Sequence, residues 1–217
     1  MSIPAEDILE HARAGIRREA QALSNLADQI GPDFVEVVGD VLACGDRNGK
    51  VVTTGAGTSG IIAERLAHLL SVSGTPSFYL PSQDALHGGM GAVTETDLVI
   101  AFSKGGRSAE LTQLVSRLTE RGTRVIAVTE NPGSPFAEAA TRTVHITTDP
   151  VDADAGGLIA LGSTLVAGSW GDALTITLMA LRDFSWEEVV QIHPAGIVGE
   201  QRDLPQAVTL LSEDTES

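Results

Sequence analysis

The sequence predicts an α/β fold in which a five-stranded parallel sheet is flanked by helices. Five short runs rich in valine, isoleucine and threonine alternate with segments whose apolar residues recur at helical spacing. Two loops rich in glycine and serine follow the first and third of these runs and lead into helices. Short apolar strands that alternate with amphipathic helices are typical of a parallel sheet covered on both faces.

Residues 1–48 predict a helical hairpin that precedes the sheet. Apolar residues recur at helical spacing up to Ile30 and again from Phe34, on either side of a Gly-Pro-Asp break. The predicted strands cover residues 50–55, 77–80, 97–103, 124–130 and 142–148. The predicted later helices cover residues 59–72, 108–121, 157–181 and 186–192. We expect a single domain over residues 1–200 and an acidic, flexible tail over residues 201–217.

The charge of the chain excludes two classes of partner. It has 29 acidic and 14 basic residues and a formal net charge of −15, whereas nucleic acids and anionic membrane surfaces attract an excess of lysine and arginine. Residues 157–181 are apolar and long enough to span a bilayer. Their glycine, serine and threonine content favours a helix buried in a core and a subunit interface instead. We therefore expect no nucleic-acid partner and no membrane partner.

The cysteine content and the N-terminus predict a cytoplasmic protein. Cys44 is the only cysteine of the sequence, which excludes a disulfide framework and a thiolate metal cluster. The first residues lack the basic region and the apolar core of a secretory signal peptide. We expect neither a metal nor a cofactor.

The loop Gly-Ala-Gly-Thr-Ser-Gly at residues 55–60 has two interpretations. Its glycines fit the G-x-G-x-x-G fingerprint of dinucleotide binding. That fingerprint needs an acidic residue at the end of the second strand, where Leu80, Pro81 and Ser82 stand, with Asp84 further on. The alternative is a site for one small anion, which backbone N–H groups, hydroxyls and helix N-termini would hold.

The second loop, Ser-Lys-Gly-Gly-Arg-Ser at residues 103–108, favours the anion site. It places two cations between two serines directly before a helix, and ligands of such folds bind beyond the C-terminal ends of the strands. The competing explanation is that the serines only cap helices. The predicted substrate-binding residues are Gly57, Thr58, Ser59, Ser103, Lys104, Gly105, Gly106, Arg107 and Ser108.

Further motifs accompany the two loops in a fixed order, and together they resemble a known family. They are Ser-Gly-Thr-Pro-Ser-Phe-Tyr-Leu at residues 73–80, Ala-Leu-His-Gly-Gly-Met-Gly at 85–91, Gly-Asp-Ala-Leu at 171–174 and His-Pro-Ala-Gly-Ile-Val-Gly at 193–199. Residues 42–199 resemble the SIS (sugar isomerase) domain, and within it the arabinose 5-phosphate isomerase group without its C-terminal CBS pair. The resemblance implies a flavodoxin-like sandwich, a homo-oligomer built as a dimer of dimers, and aldose–ketose isomerisation through an enediol. It also implies that His193 reaches the active site and that an acidic residue before the long helix, Asp152, contributes.

Moving a carbonyl between C1 and C2 requires groups that carry protons, and histidine suits this role because its pKa lies near neutrality. His87 and His193 precede glycine or proline in irregular segments, where side chains can be aimed at a ligand. The other histidines lie in predicted helices or a strand and are expected to be structural: His11, His68 and His145. We expect His193, His87 and Asp152 to be catalytic. Asp154 remains an alternative to Asp152, and both could instead only favour the helix N-terminus.

Three residues depart from the family's pattern. Thr58 stands where the group usually carries lysine, Arg107 where it usually carries glutamate, and Asp152 where it usually carries glutamate. Arginine in place of glutamate inverts the local charge, so we expect another small anionic sugar as substrate. Candidates are a sugar phosphate or a sulfosugar such as a sulfonated tetrose or tetrulose, because both head groups suit arginine and lysine. The alternative function is a catalytically inactive phosphosugar sensor.

Overall fold

Residues 3–210 are described by the computed structural model of this chain. The strands are Val51–Gly55 (β1), Ser77–Tyr79 (β2), Leu98–Phe102 (β3), Arg124–Thr129 (β4) and Arg142–His145 (β5). The α-helices are Ala5–Ala27 (α1), Pro32–Asp46 (α2), Thr58–Val72 (α3), Ser82–Leu86 (α4), Ala109–Glu120 (α5), Pro135–Glu138 (α6), Gly162–Leu181 (α7) and Trp186–Gln191 (α8). The predicted flexible tail covers residues 201–217, of which residues 211–217 lie outside the described part of the chain.

The strands form one parallel sheet in the order β2-β1-β3-β4-β5, which confirms the predicted fold class. From β1 the chain moves outward to β2 and then crosses back to β3 on the other side of β1. The sheet therefore has its topological switch point between β1 and β3. In doubly wound folds, the crevice at the C-terminal ends of such strands is where ligands bind.

The helices cover both faces of the sheet, and the side chains of the central strand β3 alternate between these faces. Leu98, Ile100 and Phe102 of β3 pack in one core cluster with residues of α1, α2, α3 and α7. Val99 and Ala101 of the same strand pack in the second cluster with residues of α4, α5 and α6. Because both faces of β3 are buried, its sequence is continuously apolar instead of alternating.

The apolar helix α7 is a core element. It packs against α1, α2 and α3, and it buries Leu174, Leu178 and the Trp170 ring, which meets Phe34 and Phe102 edge-on at centroid distances of 6.2 and 6.1 Å. Within residues 3–210, α7 is the one helix long and apolar enough to cross a membrane, and half of its most apolar stretch is buried. Packing in a core accounts for the buried half of this stretch, and the predicted burial of α7 in a subunit interface stays a prediction.

The start of α7 differs from the prediction, which had the helix begin at residue 157. Residues 157–161 are irregular and the helix begins at Gly162. The Asp154 carboxylate accepts hydrogen bonds from the backbone N–H groups of Leu161 and Ser163, both at 2.9 Å. A side chain eight residues upstream therefore satisfies donors at the helix start, which a local pattern of apolar residues does not reveal.

Close packing explains two loop glycines without a dinucleotide. A Cβ atom at Gly55 would lie 2.7 Å from the backbone of Ser59, so β1 and α3 approach closely only because this residue has no side chain. Gly106 has a φ of +63°, and a Cβ atom there would lie 2.0 Å from the Ser134 hydroxyl oxygen. The glycine spacing thus reflects how loops pass over the ends of the strands.

Candidate active site

A cavity of about 50 Å³ lies at the C-terminal ends of β1, β3 and β4, between them and α7. Six hydroxyl side chains line it: Thr58, Ser59, Ser103, Thr129, Ser163 and Thr164. Its charged lining residues are Lys104 and Glu130, and most of the remaining wall is apolar. By the same measure one water needs about 10–15 Å³, so the cavity has room for a small polyatomic group.

An open cleft of about 410 Å³ adjoins this cavity. Gly105, Arg107, Asn131 and Gly157 line the cleft alone, whereas Lys104 and Glu130 line both spaces. Since these two residues follow the neighbouring strands β3 and β4, the sheet itself places them side by side. The smaller cavity and the open cleft therefore meet at one lysine and one glutamate.

The N-terminus of α3 opens toward the cavity. Gly57 precedes the helix with a φ of +57°, and within the described chain no side chain caps this helix end. By contrast, Ser108, Ser134 and Ser185 cap α5, α6 and α8 with their hydroxyl oxygens. The first turn of α3 therefore presents Thr58 and Ser59 beside backbone donors that no side chain covers.

Lys104 is held by a buried carboxylate. Its Nζ donates to Oδ2 of Asp154 at 2.5 Å and lies 3.9 Å from Oε2 of Glu130. The Asp154 side chain is 1% exposed and also accepts a hydrogen bond from the Ser163 hydroxyl at 2.6 Å. The sequence predicts that Lys104 binds an anionic substrate, and the structure adds that its charge is already paired with Asp154.

The surroundings of Asp154 keep its carboxylate ionised. Burial by itself would raise the pKa of Asp154, but hydrogen bonds from Lys104 and from the hydroxyl and N–H of Ser163 outweigh it and hold the pKa below its ordinary value. Asp154 therefore acts as a permanent acceptor that fixes both Lys104 and the start of α7.

Glu130 lines both the cavity and the cleft, and it is not among the residues predicted from the sequence. Its Oε1 accepts a hydrogen bond from the Thr148 hydroxyl at 2.5 Å, and its backbone N–H donates to the Lys104 carbonyl at 3.0 Å. The available signal was positional, because Glu130 is a charged residue directly after the buried strand β4, as Lys104 follows β3. The strand prediction extended through residue 130 and hid it.

The structure does not bring the three predicted catalytic residues together in this chain. Asp152 lies in a short 3-10 helix with its side chain 68% exposed, 3.8 Å from Arg18, whereas Asp154 reaches Lys104. His87 is exposed after α4, and His193 follows α8 with its Nδ1 2.6 Å from the Val189 carbonyl oxygen. Among the described residues, neither histidine lines the cavity or the cleft. Their catalytic roles stay predictions.

The predicted substrate-binding residues divide into three groups. Those that line the cavity are Thr58, Ser59, Ser103 and Lys104. Those that line the cleft are Lys104, Gly105 and Arg107. Gly57, Gly106 and Ser108 line neither space, since Gly106 is buried against Ser134 and the Ser108 oxygen accepts from the Leu111 N–H. Their predicted contact with substrate stays a prediction.

The sequence of this chain matches one family model and is similar to two isomerases. The family model of the SIS domain matches residues 46–175. The chain is 33% identical over 195 residues to the arabinose 5-phosphate isomerase GutQ of Escherichia coli K12, covering 90% of this chain and 60% of the relative. It is 36% identical over 193 residues to the arabinose 5-phosphate isomerase KdsD of Pseudomonas aeruginosa PAO1, covering 89% and 58%. The chain thus spans about three fifths of the length of these relatives.

Two solved structures resemble most of this chain in fold. A protein of Listeria monocytogenes superposes with a TM-score of 0.83 at 30% identity, covering 89% of this chain and 100% of the other. A protein of Escherichia coli CFT073 in complex with A5P superposes with a TM-score of 0.82 at 30% identity, covering 88% and 100%.

Proposed function

The chain belongs to the SIS domain family, and from this premise we propose that it is an aldose–ketose isomerase acting through an enediol on a small anionic sugar. The observation that carries the proposal is the cavity at the switch point, where Thr58 and Ser59 begin an uncapped helix opposite Ser103 and Lys104. Relatives named arabinose 5-phosphate isomerase, and a structural relative in complex with A5P, support a sugar phosphate as the substrate class.

The charge around the cavity supports a second head group, sulfonate. The cations Lys104 and Arg107 and the anion Glu130 line the cleft, and Asp154 pairs with Lys104, so these four side chains together carry no net charge before a ligand enters. A phosphate monoester carries nearly two negative charges at neutral pH, and the chain as a whole has a net charge of −15. A sulfonate carries one charge on three acceptor oxygens, so it meets less repulsion. We therefore extend the proposal to sulfosugars such as a sulfonated tetrose.

The test is a substrate series in D₂O followed by NMR. Erythrose 4-phosphate, arabinose 5-phosphate, a hexose 6-phosphate and 4-deoxy-4-sulfoerythrose are each incubated with the protein, with the matching neutral sugars as controls. We expect aldose–ketose conversion, with deuterium entering the carbon next to the carbonyl, for an anionic sugar only. Thermal stabilisation by an anionic sugar without deuterium entry would favour the phosphosugar sensor, and the absence of both would contradict the proposal.

We propose that the active protein is a homo-oligomer, a dimer of dimers. Leu158 and Ile159, beside the cleft, are 91% and 61% exposed, and Ile8 and Ile16 leave an apolar stripe of α1 in solvent. In such an assembly His193 would serve the cavity of a neighbouring copy. Light scattering measures the mass, and a stable monomer with full activity would contradict the proposal.

The proposed reaction moves protons within one sugar, so we propose that it needs neither a cofactor nor a metal. Among residues 3–210, no three histidine, cysteine, aspartate or glutamate side chains cluster as a metal site. Dialysis against EDTA is expected to leave kcat unchanged, and a loss that zinc or manganese restores would contradict this part of the proposal.

A further inference from the structure

Lys104 and Glu130 line both the smaller cavity and the open cleft, so the two spaces meet at these residues. A sugar whose anionic group enters the cavity beside the N-terminus of α3 must extend its carbon chain past this junction toward the cleft. The two side chains lie 3.9 Å apart, from Nζ of Lys104 to Oε2 of Glu130. A proton donor and a proton acceptor therefore flank the path that the sugar carbons would follow.

The contacts of Glu130 leave one carboxylate oxygen available. Oε1 accepts a hydrogen bond from Thr148, whose hydroxyl belongs to a buried residue, and this bond fixes the plane of the carboxylate. Oε2 points to the Lys104 side at a distance longer than a hydrogen bond. The side chain is 25% exposed, so it is partly desolvated but open to a ligand. Glu130 therefore offers a positioned carboxylate oxygen at the junction, which is the geometric part of what a general base requires.

The contacts of Lys104 keep its ammonium group in place. Asp154 accepts a hydrogen bond from one N–H of the ammonium group at 2.5 Å. The Lys104 side chain is 35% exposed, so its other N–H groups can donate to a substrate oxygen. Its backbone carbonyl accepts hydrogen bonds from the Thr129 hydroxyl and the Glu130 N–H, both at 3.0 Å. Lys104 is therefore fixed at both ends, by β4 and by the segment that leads into α7.

We propose that Glu130 is the general base and Lys104 the general acid of the isomerisation, and that Asp154 positions Lys104. This inference rests on the proposed function and assigns the proton transfers to residues outside the catalytic set predicted from sequence. In the proposed assembly, His193 of a neighbouring copy would contact the sugar without moving its protons. His193, His87 and Asp152 do not line the cavity within the described part of this chain, whereas Lys104 and Glu130 line both spaces.

The proton transfers balance with these two residues alone. The Glu130 carboxylate takes the proton from C2 of the aldose, the C2–H electron pair forms the C1–C2 double bond, and the carbonyl electron pair moves to O1. The Lys104 ammonium donates a proton to O1, which gives the neutral enediol. The Lys104 amine then takes the proton of the O2 hydroxyl while the carboxylic acid of Glu130 returns its proton to C1. The product is the ketose, and both residues regain their starting protonation.

The first experiment compares Glu130→Gln with Glu138→Gln, the same change at an exposed position eight residues later in the chain. Using the anionic sugar that the wild type converts, we expect Glu130→Gln to lower kcat about 100-fold or more. Deuterium entry from D₂O should fall equally, while thermal stabilisation by the sugar persists. We expect Glu138→Gln to match the wild type. Full activity of Glu130→Gln overturns the assignment.

The second experiment separates proton donation from charge. Lys104→Arg keeps a cation beside Asp154, but a guanidinium does not release a proton in a protein. We expect Lys104→Arg and Lys104→Met to lose kcat alike, about 100-fold or more, while only Lys104→Arg keeps wild-type stabilisation by the sugar. Recovery of kcat by Lys104→Arg would reduce Lys104 to an electrostatic contact and overturn its role as the acid.

The third experiment tests Asp154 as a positioning residue. Asp154→Asn removes the anion that stabilises the ammonium form of Lys104. The other charged groups that line the cleft with Lys104, Glu130 and Arg107, remain unchanged. The alkaline limb of the kcat profile should therefore move to lower pH, a change that a purely structural role would not cause. An unmoved limb overturns the positioning role. A wild type that converts no sugar overturns the proposed function itself, whereas an active wild type with an active Glu130→Gln overturns only this inference.

Discussion

The two lysines of the sequence lie at opposite ends of the sheet, and each pairs with an aspartate whose side chain is 1% exposed. Lys50 precedes β1 and binds Asp97 at 2.9 Å, whereas Lys104 follows β3 and binds Asp154 at 2.5 Å. The lysine side chains are also similarly exposed, at 38% and 35%. By residue type, distance and burial the two pairs are nearly the same.

The two pairs differ in what surrounds them. Asp97 accepts hydrogen bonds from the backbone N–H groups of Lys50 and Thr94 and from the Thr94 hydroxyl, so it joins the segments that enter β1 and β3. Lys104 instead lines a cavity and a cleft. A buried ion pair is thus not a functional signal by itself, and the adjoining space distinguishes a structural pair from a candidate site.

Exchange of each lysine for methionine should separate the pairs most strongly. We expect Lys104→Met to lower kcat about 100-fold or more, because it removes the proposed proton donor. We expect Lys50→Met to leave kcat unchanged, because Lys50 lies at the other end of the sheet. Progress curves of aldose–ketose conversion measure both, and equal losses in the two variants would show that the pairs do not differ in role.

Exchange of each aspartate for asparagine should destabilise the fold more at Asp97 than at Asp154, whereas the lysine exchanges should affect kcat more at Lys104 than at Lys50. In Asp154→Asn, the remaining oxygen can still accept from the N–H groups of Leu161 and Ser163, but the oxygen that accepts from Lys104 and the Ser163 hydroxyl is replaced. We therefore expect a loss of about 2 kcal/mol in the free energy of unfolding. In the wild type, each carboxylate oxygen of Asp97 accepts from a different backbone N–H. In Asp97→Asn, the amide NH₂ group replaces one of these oxygens and leaves its N–H donor without an acceptor. We expect a loss of about 3 kcal/mol. Urea unfolding followed by circular dichroism measures both, and a larger loss for Asp154→Asn contradicts the comparison.

Acid should weaken both pairs. Burial would raise the pKa of Asp97, but hydrogen bonds from Thr94 and Lys50 hold it below its ordinary value of 3.8, and the pKa of Asp154 is lowered in the same way. A pKa that is lower in the folded state stabilises the fold above the ordinary value, and the gain is lost as pH falls through the folded value. We expect the free energy of unfolding to decrease below about pH 4, and more steeply in the wild type than in Asp97→Asn. Parallel slopes would exclude Asp97 as a contributor.

The smallest expected difference concerns an aromatic ring beside Lys50. Its Nζ lies 5.8 Å from the centroid of the Phe78 ring. We expect Phe78→Leu to lower the free energy of unfolding by about 0.5 kcal/mol through the lost cation–π contact, in addition to any packing change. A double-mutant cycle with Lys50→Met isolates this contribution in urea unfolding. A coupling energy of zero would show that the ring only packs.

The fold was predictable because its signal is local. A buried parallel strand such as β3 is a continuous apolar run, and the helices between strands show their own spacing, so order and type of the elements follow from short windows of sequence. The site was predictable in part for the same reason. Loops that follow β1 and β3 must meet at one edge of the sheet, which places Ser59 and Ser103 around one cavity.

The remaining features depend on contacts between distant residues. Lys104 and Asp154 are 50 positions apart, so the sequence does not reveal that the lysine is paired or which of two nearby aspartates reaches it. The late start of α7 has the same origin, since Asp154 also binds the backbone of Ser163. Glu130 was missed because a glutamate at the end of a strand is ordinary until its neighbour across the sheet is known.

The protein has only two lysine side chains, and their relative reactivity can show whether a ligand is bound. The side chains of Lys50 and Lys104 have similar solvent exposure, so an amine-acylating reagent can reach both. A sugar bound at the proposed site would shield Lys104 and leave Lys50 as an internal standard within the same molecule. The ratio of the two acylated peptides in a mass spectrum then gives the bound fraction, for unreactive ligands as well as for substrates.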